Sequence, residues 1–401
     1  MIIRTLTLYD RFKCAGSACK DTCCVHDKLV LDNKTYFEYQ RVISKGDAFG
    51  RRMVASISER NGVASFRMRE NGECPFLLRN HLCELQIRLG ADKISETCRK
   101  YPTFSKEYGN YREIGCRFSC PEVLRLVLTH PERFEVRERE NDTEPVSLDD
   151  LNVNLFEALY PVRQRVLQIA QDARNPLYLT GTILLRLASE VQAAIDRKAY
   201  GELASLIAPF EGGDPTGGMA GAGTDEPADA SLRENLILRL LRMHCKLEFR
   251  KEDNAVRIAR ALEIFKGETS DRRIARERDF NSFMTEREYE YRKWLFYLLH
   301  RDLLDAVRDG KFFTRMRYAV LTTFCLFELG ALEWQSRGKF PPQRQEDLFR
   351  NYARELDENP KNLARFMKKL NGSAFALPKL LRAFACPPKK DAPEPSSAVA
   401  E

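Results

Sequence analysis

Four cysteines fall within eleven residues, Cys14-Ala-Gly-Ser-Ala-Cys19-Lys-Asp-Thr-Cys23-Cys24, and this run constrains the chain more than any other feature. Five more, Cys74, Cys83, Cys98, Cys116 and Cys120, follow before residue 121. Only Cys245, Cys325 and Cys386 of the twelve lie beyond. Glycine and small residues let a loop wrap several sulfurs around a small centre, and thiolates are the usual ligands of structural zinc and of iron–sulfur clusters. Cysteine also serves as a small buried hydrophobe, which suits Cys245 and Cys325 on apolar helical faces. For the N-terminal set the spacing favours metal, with disulfides the main competitor. The adjacent pair adds a restriction. Neighbouring side chains diverge by about 100° on a helix and point to opposite faces on a strand. Cys23 and Cys24 therefore serve two different centres, or one of them is not a ligand. Ligand type alone leaves zinc and iron–sulfur both open.

The start MIIRTLTLYD lacks the apolar run of a signal peptide. The longest apolar stretches, such as 318–327, stop near ten residues, too short to span a bilayer. These features predict a cytoplasmic protein with no membrane partner, and a reducing compartment favours metal over disulfides. Charge is uneven. Residues 1–125 carry 22 Lys/Arg against 15 Asp/Glu, while the remainder balances. The basic residues are scattered, without an aromatic-interleaved groove, so they fit compensation of a thiolate site better than nucleic-acid binding.

Periodicity predicts a mainly α fold, with a cysteine-rich α+β metal-binding unit (1–130) packed on an α-helical region (150–385). In the first part, Asp32 or Asn33 caps a helix over 34–43. Val63–Arg69 and Cys74–Leu78 read as strands around an Asn71-Gly72 turn. A helix over 83–89 stops at Gly90, a short one opened by Ser95 and Glu96 carries Cys98, and Pro121 begins another over 121–129 with Cys120 near its N-cap. Helices are predicted over 151–170, 177–194, 232–249, 289–307 and 316–332. The segment 211–230 reads as a flexible insertion and 387–401 as a disordered tail.

The ordered motifs of residues 9–128 resemble the flagellin lysine-N-methylase family, within a wider group named for a CxxCxxCC-like chelating motif. Tyr9-x-x-Phe12-x-Cys14-x4-Cys19-x-Asp21-Thr22-Cys23-Cys24 opens the likeness. Cys74-Pro75-Phe76-Leu77, Leu82-Cys83-x-Leu85-Gln86, Ser95-x-x-Cys98-Arg99-x-Tyr101-Pro102 and Ser119-Cys120-Pro121-Glu122 continue it. The resemblance implies methyl transfer from S-adenosylmethionine to lysines of flagellin, with an iron–sulfur cluster, 4Fe-4S in type and in one or two centres. It implies Cys14, Cys19, Cys23, Cys24, Cys74, Cys83, Cys98 and Cys120 as ligands. Cys116 stands where the family carries an apolar residue and is left out.

Catalytic residues are not evident beyond Arg99 and Tyr101. They flank Cys98 and could bind a carboxylate or orient a lysine amine; the plainer role is a hydrogen bond to a cluster sulfur and a packed ring. No glycine-rich strand–turn–helix fingerprint for the S-adenosylmethionine site is present. The competing expectation is a non-catalytic zinc- or iron-chelating or metal-delivery protein.

Overall fold

The computed structural model describes residues 1–25, 29–142, 150–214, 216–218 and 229–384. The tail 387–401 and most of the proposed insertion 211–230 lie outside the described residues. The chain divides into two compact units. The first holds 1–146 together with 349–358, and the second holds 147–348 and 359–401. The fold is mainly α with two sheets.

In the first unit, in chain order, lie β1 (Ile2–Leu6), β2 (Leu29–Val30), α1 (Asn33–Ile43), α2 (Ala48–Ser56), β3 (Ile57–Arg60), β4 (Val63–Phe66), α3 (Glu84–Leu89), α4 (Glu96–Lys100), β5 (Thr103–Tyr108), β6 (Tyr111–Cys116), α5 (Pro121–Leu128) and β7 (Val136–Glu140). One sheet has the order β5-β6-β1-β7. Its β1 runs parallel to β6, pairing Ile2 with Tyr111 and Thr5 with Ile114, and antiparallel to β7, pairing Ile2 with Glu140. The other has the order β2-β4-β3 and is antiparallel throughout.

Local chemistry sets the helix ends near the cysteines. Asp32 caps α1 by accepting from Thr35 N–H at 2.9 Å, and its other oxygen accepts from Glu96 N–H at 2.8 Å. One carboxylate thus ties the start of α1 to the start of α4. Gly90 ends α3 at φ 102°, a conformation open to glycine. Pro121 occupies the first position of α5, where no N–H bond is needed. Tyr39, Phe66 and Phe76 centre the apolar core here, all nearly inaccessible, with Cys74 among them.

Residues 74–78 form a turn, not the expected strand. Leu77 N–H bonds back to Cys74 C=O at 3.0 Å, and the extended contacts shrink to single bridges, Val25 with Glu73 and Leu77 with Cys83. Pro75 has no N–H to give a ladder, which explains the difference.

The second unit is helical. It contains α6 (Val153–Gln171), α7 (Leu177–Asp196), α8 (Leu203–Ile207), α9 (Ala230–His244), α10 (Glu252–Gly267), α11 (Ser270–Phe283), α12 (Glu288–Asp302), α13 (Ala306–Asp309), α14 (Phe312–Arg337), most of α15 (Pro342–Tyr352), α16 (Pro360–Leu370) and α17 (Leu377–Phe384). The helix expected over 289–307 breaks after Asp302 into a 3-10 turn and the short α13. The longest helix, α14, is buried almost all round between residues 316 and 332, and Trp294 on α12 is fully buried. Among the described residues no helix is long and apolar enough to cross a membrane. The last turn of α15 passes into a π-helical turn, Ala353–Asp357, which belongs to the first unit.

Candidate metal centre

The cysteine loop is shaped by its own backbone. After Phe12, Gly16 takes φ 55° and its N–H points at Cys14 Sγ, 3.4 Å away. A 3-10 turn over 16–18 then places Cys19 in extended backbone. Asp21 accepts from Thr22 N–H at 2.8 Å, and Thr22 Oγ1 accepts from Cys24 N–H at 3.0 Å. These short-range bonds turn the chain sharply around Cys23. Cys24 C=O then accepts from Cys74 N–H at 2.8 Å, bringing the second cysteine segment alongside the first.

The other thiols arrive on helix starts. Cys83 stands at the N-cap position of α3 and Cys120 at that of α5. Cys98 lies in the first turn of α4, its N–H bonded to the capping Ser95 hydroxyl at 3.3 Å. Burial raises the Cys83 thiol, opposed by backbone N–H groups of Gln86 and Leu85. Burial pushes Cys120 up to about 11, opposed by Val123 and Glu122 N–H groups. Such donors favour a thiolate and suit a metal ligand.

Cys14, Cys19, Cys23, Cys24, Cys83, Cys98 and Cys120 line one cavity of about 290 Å³. Cys74 does not face it. It is buried in the apolar core, against which Cys24, Cys83 and Cys98 also pack. Its thiol is pushed up to about 12, by burial first and then by the nearby Cys98 and Cys83. Burial likewise pushes Cys98 up to about 11. The Cys23 thiol is raised by its hydrogen bond with Cys24 and by burial. For Cys19 burial raises the thiol, and Cys14 and Cys23 add to it. The thiols therefore sense one another across long chain separations. Among the described residues no three His, Cys, Asp or Glu side chains stand grouped as a single ion would hold them. Cys116, at the end of β6, is buried and does not line the cavity.

Both sequence-derived catalytic candidates are in the cavity wall. Arg99 is exposed at the rim and donates to Asp92 C=O at 2.9 Å. Tyr101 is half-buried, with its hydroxyl 3.0 Å from Ser119 Oγ, and desolvation raises its pKa. His81 also lines the cavity, while His26 lies outside the described residues.

One residue escaped the sequence reading. Arg354, in the π-helical turn, reaches Asp21 at 2.7 Å and donates to Thr22 C=O at 3.3 Å and Ser119 C=O at 3.4 Å. Arg350 stands 3.6 Å from the same carboxylate. Arg354 thereby bridges the cysteine loop to the start of α5, and its charge lowers the Cys23 pKa. Its distance in sequence leaves no local signal; only the buried partner Asp21 hints that a cation must come from somewhere.

Residues 163–382 match the sequence model described as FliB lysine N-methylase C-terminal domain. The chain belongs to that family. It is similar to the lysine-N-methylase of Salmonella typhimurium, 26% identical over 247 residues, covering 57% of this chain and 58% of the relative. A lysine-N-methylase of Salmonella choleraesuis is 25% identical over 246 residues, with the same coverage. The flagellar biosynthetic protein FliU of Salmonella muenchen is 29% identical over 140 residues, 32% of this chain and 79% of FliU. The chain thus spans a little over half the length of the two lysine-N-methylases it matches. No solved structure matches it.

Proposed function

We propose that this chain is a cytoplasmic protein-lysine N-methyltransferase that acts on flagellin, takes its methyl group from S-adenosylmethionine and holds an iron–sulfur centre in the cysteine unit. Membership of the FliB lysine N-methylase family supports the reaction class. The observation that carries the metal part is the convergence of seven thiols on one cavity from four separate stretches of chain. The donor set is all sulfur, which suits iron–sulfur or zinc and disfavours hard cations.

The chain's own residues have definable parts. Cys24, Cys83 and Cys98 pack with Cys74 at the apolar core, and Cys14, Cys19, Cys23 and Cys120 line the cavity that the first three share. In this reading the eight thiols fill two four-thiolate sites, with Cys24 serving one and Cys23 the other. Arg354 offsets the negative charge such ligands acquire. A bound cluster would supply iron for electron transfer or for gripping the amino and carboxylate groups of the cofactor. Arg99 at the rim is suited to a carboxylate, and the Tyr101 ring to orienting an amine. Transfer requires the lysine amine to be neutral and aligned with the methyl–sulfonium bond.

The test is anaerobic purification with iron, sulfide and zinc analysis and a visible spectrum, followed by incubation with flagellin and methyl-labelled cofactor. Iron and sulfide with labelled methyl-lysine are expected. Tightly held metal with no methyl-lysine would replace this reading with a chelating or metal-delivery protein. Zinc alone would overturn the iron–sulfur part.

A further inference from the structure

A second cavity lies wholly in the helical unit, between α10, α14 and α15, with a volume of about 380 Å³. That is in the range of small-molecule sites. Its floor is apolar: Leu329, Leu332 and Leu348 are buried, and Ile264 lies beside them. Its walls are cationic. Four arginines, Arg257, Arg260, Arg337 and Arg344, line it with two carboxylates, Asp253 and Glu333, an excess of two positive charges.

Three of those arginines converge on Glu333 without satisfying it. Arg337 Nε stands 3.4 Å from its Oε1, Arg344 Nη1 3.7 Å from the same atom, and Arg257 Nη2 3.7 Å from Oε2. These are ion-pair distances, longer than a charge-assisted hydrogen bond of about 2.7–2.9 Å. Glu333 Oε1 and Arg257 Nη1 are buried without a hydrogen-bond partner. Arg260 makes no ion pair among the described residues. Buried polar atoms are nearly always bonded, so a cluster left this way calls for a missing partner. One carboxylate cannot saturate three planar forks, each built to grip an oxyanion with two N–H groups.

We propose that this cavity binds a small amphipathic dianion, its phosphate or paired carboxylates between Arg257, Arg260 and Arg344 and its apolar body on Leu329, Leu332 and Leu348. Glu333 then holds the arginines together when the site is empty and competes with the ligand when it is filled. The charge excess matches a doubly charged head. The leucine floor selects against a bare inorganic ion.

The test is calorimetric titration of the full-length chain with 1-naphthyl phosphate, with inorganic phosphate and 1-naphthol as the charge-only and ring-only probes. Naphthyl phosphate should bind at least tenfold more tightly than either, and more weakly as salt rises. Arg344→Gln should weaken it about tenfold. Arg260→Gln breaks no ion pair or hydrogen bond among the described residues, and it should weaken binding severalfold. Glu333→Gln should tighten it. Absence of naphthyl phosphate binding at millimolar concentration would overturn the proposal. So would equal binding by the parent chain and an Arg257→Gln/Arg260→Gln pair.

Discussion

Removing Arg354 tests how the cysteine loop is held. Its pair with Asp21 is 2.7 Å long, and the two side chains are only 5% and 8% exposed. Breaking a buried pair by deleting one partner leaves the other charge unsolvated and costs about 3–5 kcal/mol. Here Arg350 remains 3.6 Å from Asp21 and compensates in part, so Arg354→Ala should fall near 3 kcal/mol. The guanidinium also serves the carbonyls of Thr22 and Ser119, so the loss extends to the start of α5. With total stability on the order of 5–15 kcal/mol, the variant should still fold but melt much earlier in urea. The assay is a double-mutant cycle of Arg354→Ala and Asp21→Ala on the chain freed of metal. A coupling of about 2 kcal/mol or more is expected, since each single change strands the other member of the pair and the double change strands neither. Simple additivity, or an Arg354→Ala effect below about 1 kcal/mol, would refute the view that this arginine braces the loop.

Other expectations follow from the same geometry. Cys19→Ser and Cys23→Ser should strip the metal, whereas Cys116→Ser should retain it; metal and sulfide counts per chain decide, and equal loss in all three would redraw the ligand set. His244 is buried and held at about 4, below its usual 6.5, because burial disfavours the cation. The unfolded chain takes up that proton first on acidification. Its contribution is therefore full above pH 6.5 and is lost as pH falls toward 4, by about 2 kcal/mol between 6.5 and 5. Urea midpoints across that range should show the fall, and His244→Gln should flatten it. Gly330 on α14 faces a tight wall: an added Cβ would lie 2.6 Å from the Tyr291 hydroxyl and 3.2 Å from the Phe280 ring. Alanine improves helix propensity by at most about 1 kcal/mol, while overpacking costs about 1–3. Gly330→Ala should accordingly destabilise by about 1 kcal/mol in urea unfolding, and a stabilised variant would contradict the packing described.

What was legible in the sequence was local. Asp32 as a cap, Gly90 as a stop, Ser95 and Pro121 as helix starts each act within a few residues, and each stands where the sequence places it. The periodic helices α6, α7 and α14 were readable because one stripe or most of the surface is apolar. The sheet β5-β6-β1-β7 was not. Its β1 pairs with partners more than a hundred residues away, and β7 is exposed and charged with no alternating pattern. The helices α10, α11 and α16 are rich in charged residues, and of the buried positions in α11 only Phe280 is apolar. Of the candidate site, the cysteines were conspicuous by spacing, but Arg354 was invisible because its role exists only once distant segments meet.

The first unit is completed by residues 349–358, which emerge from the ribosome roughly two hundred residues after Val146. During synthesis the Asp21 carboxylate therefore waits without its guanidinium partner through translation of nearly the whole helical region. At about 5–20 residues per second that interval lasts on the order of ten seconds or more. The cysteine loop is thus a late-maturing part of a chain whose thiols are made first, and a nascent chain stopped short of Arg354 would carry those thiols without their brace.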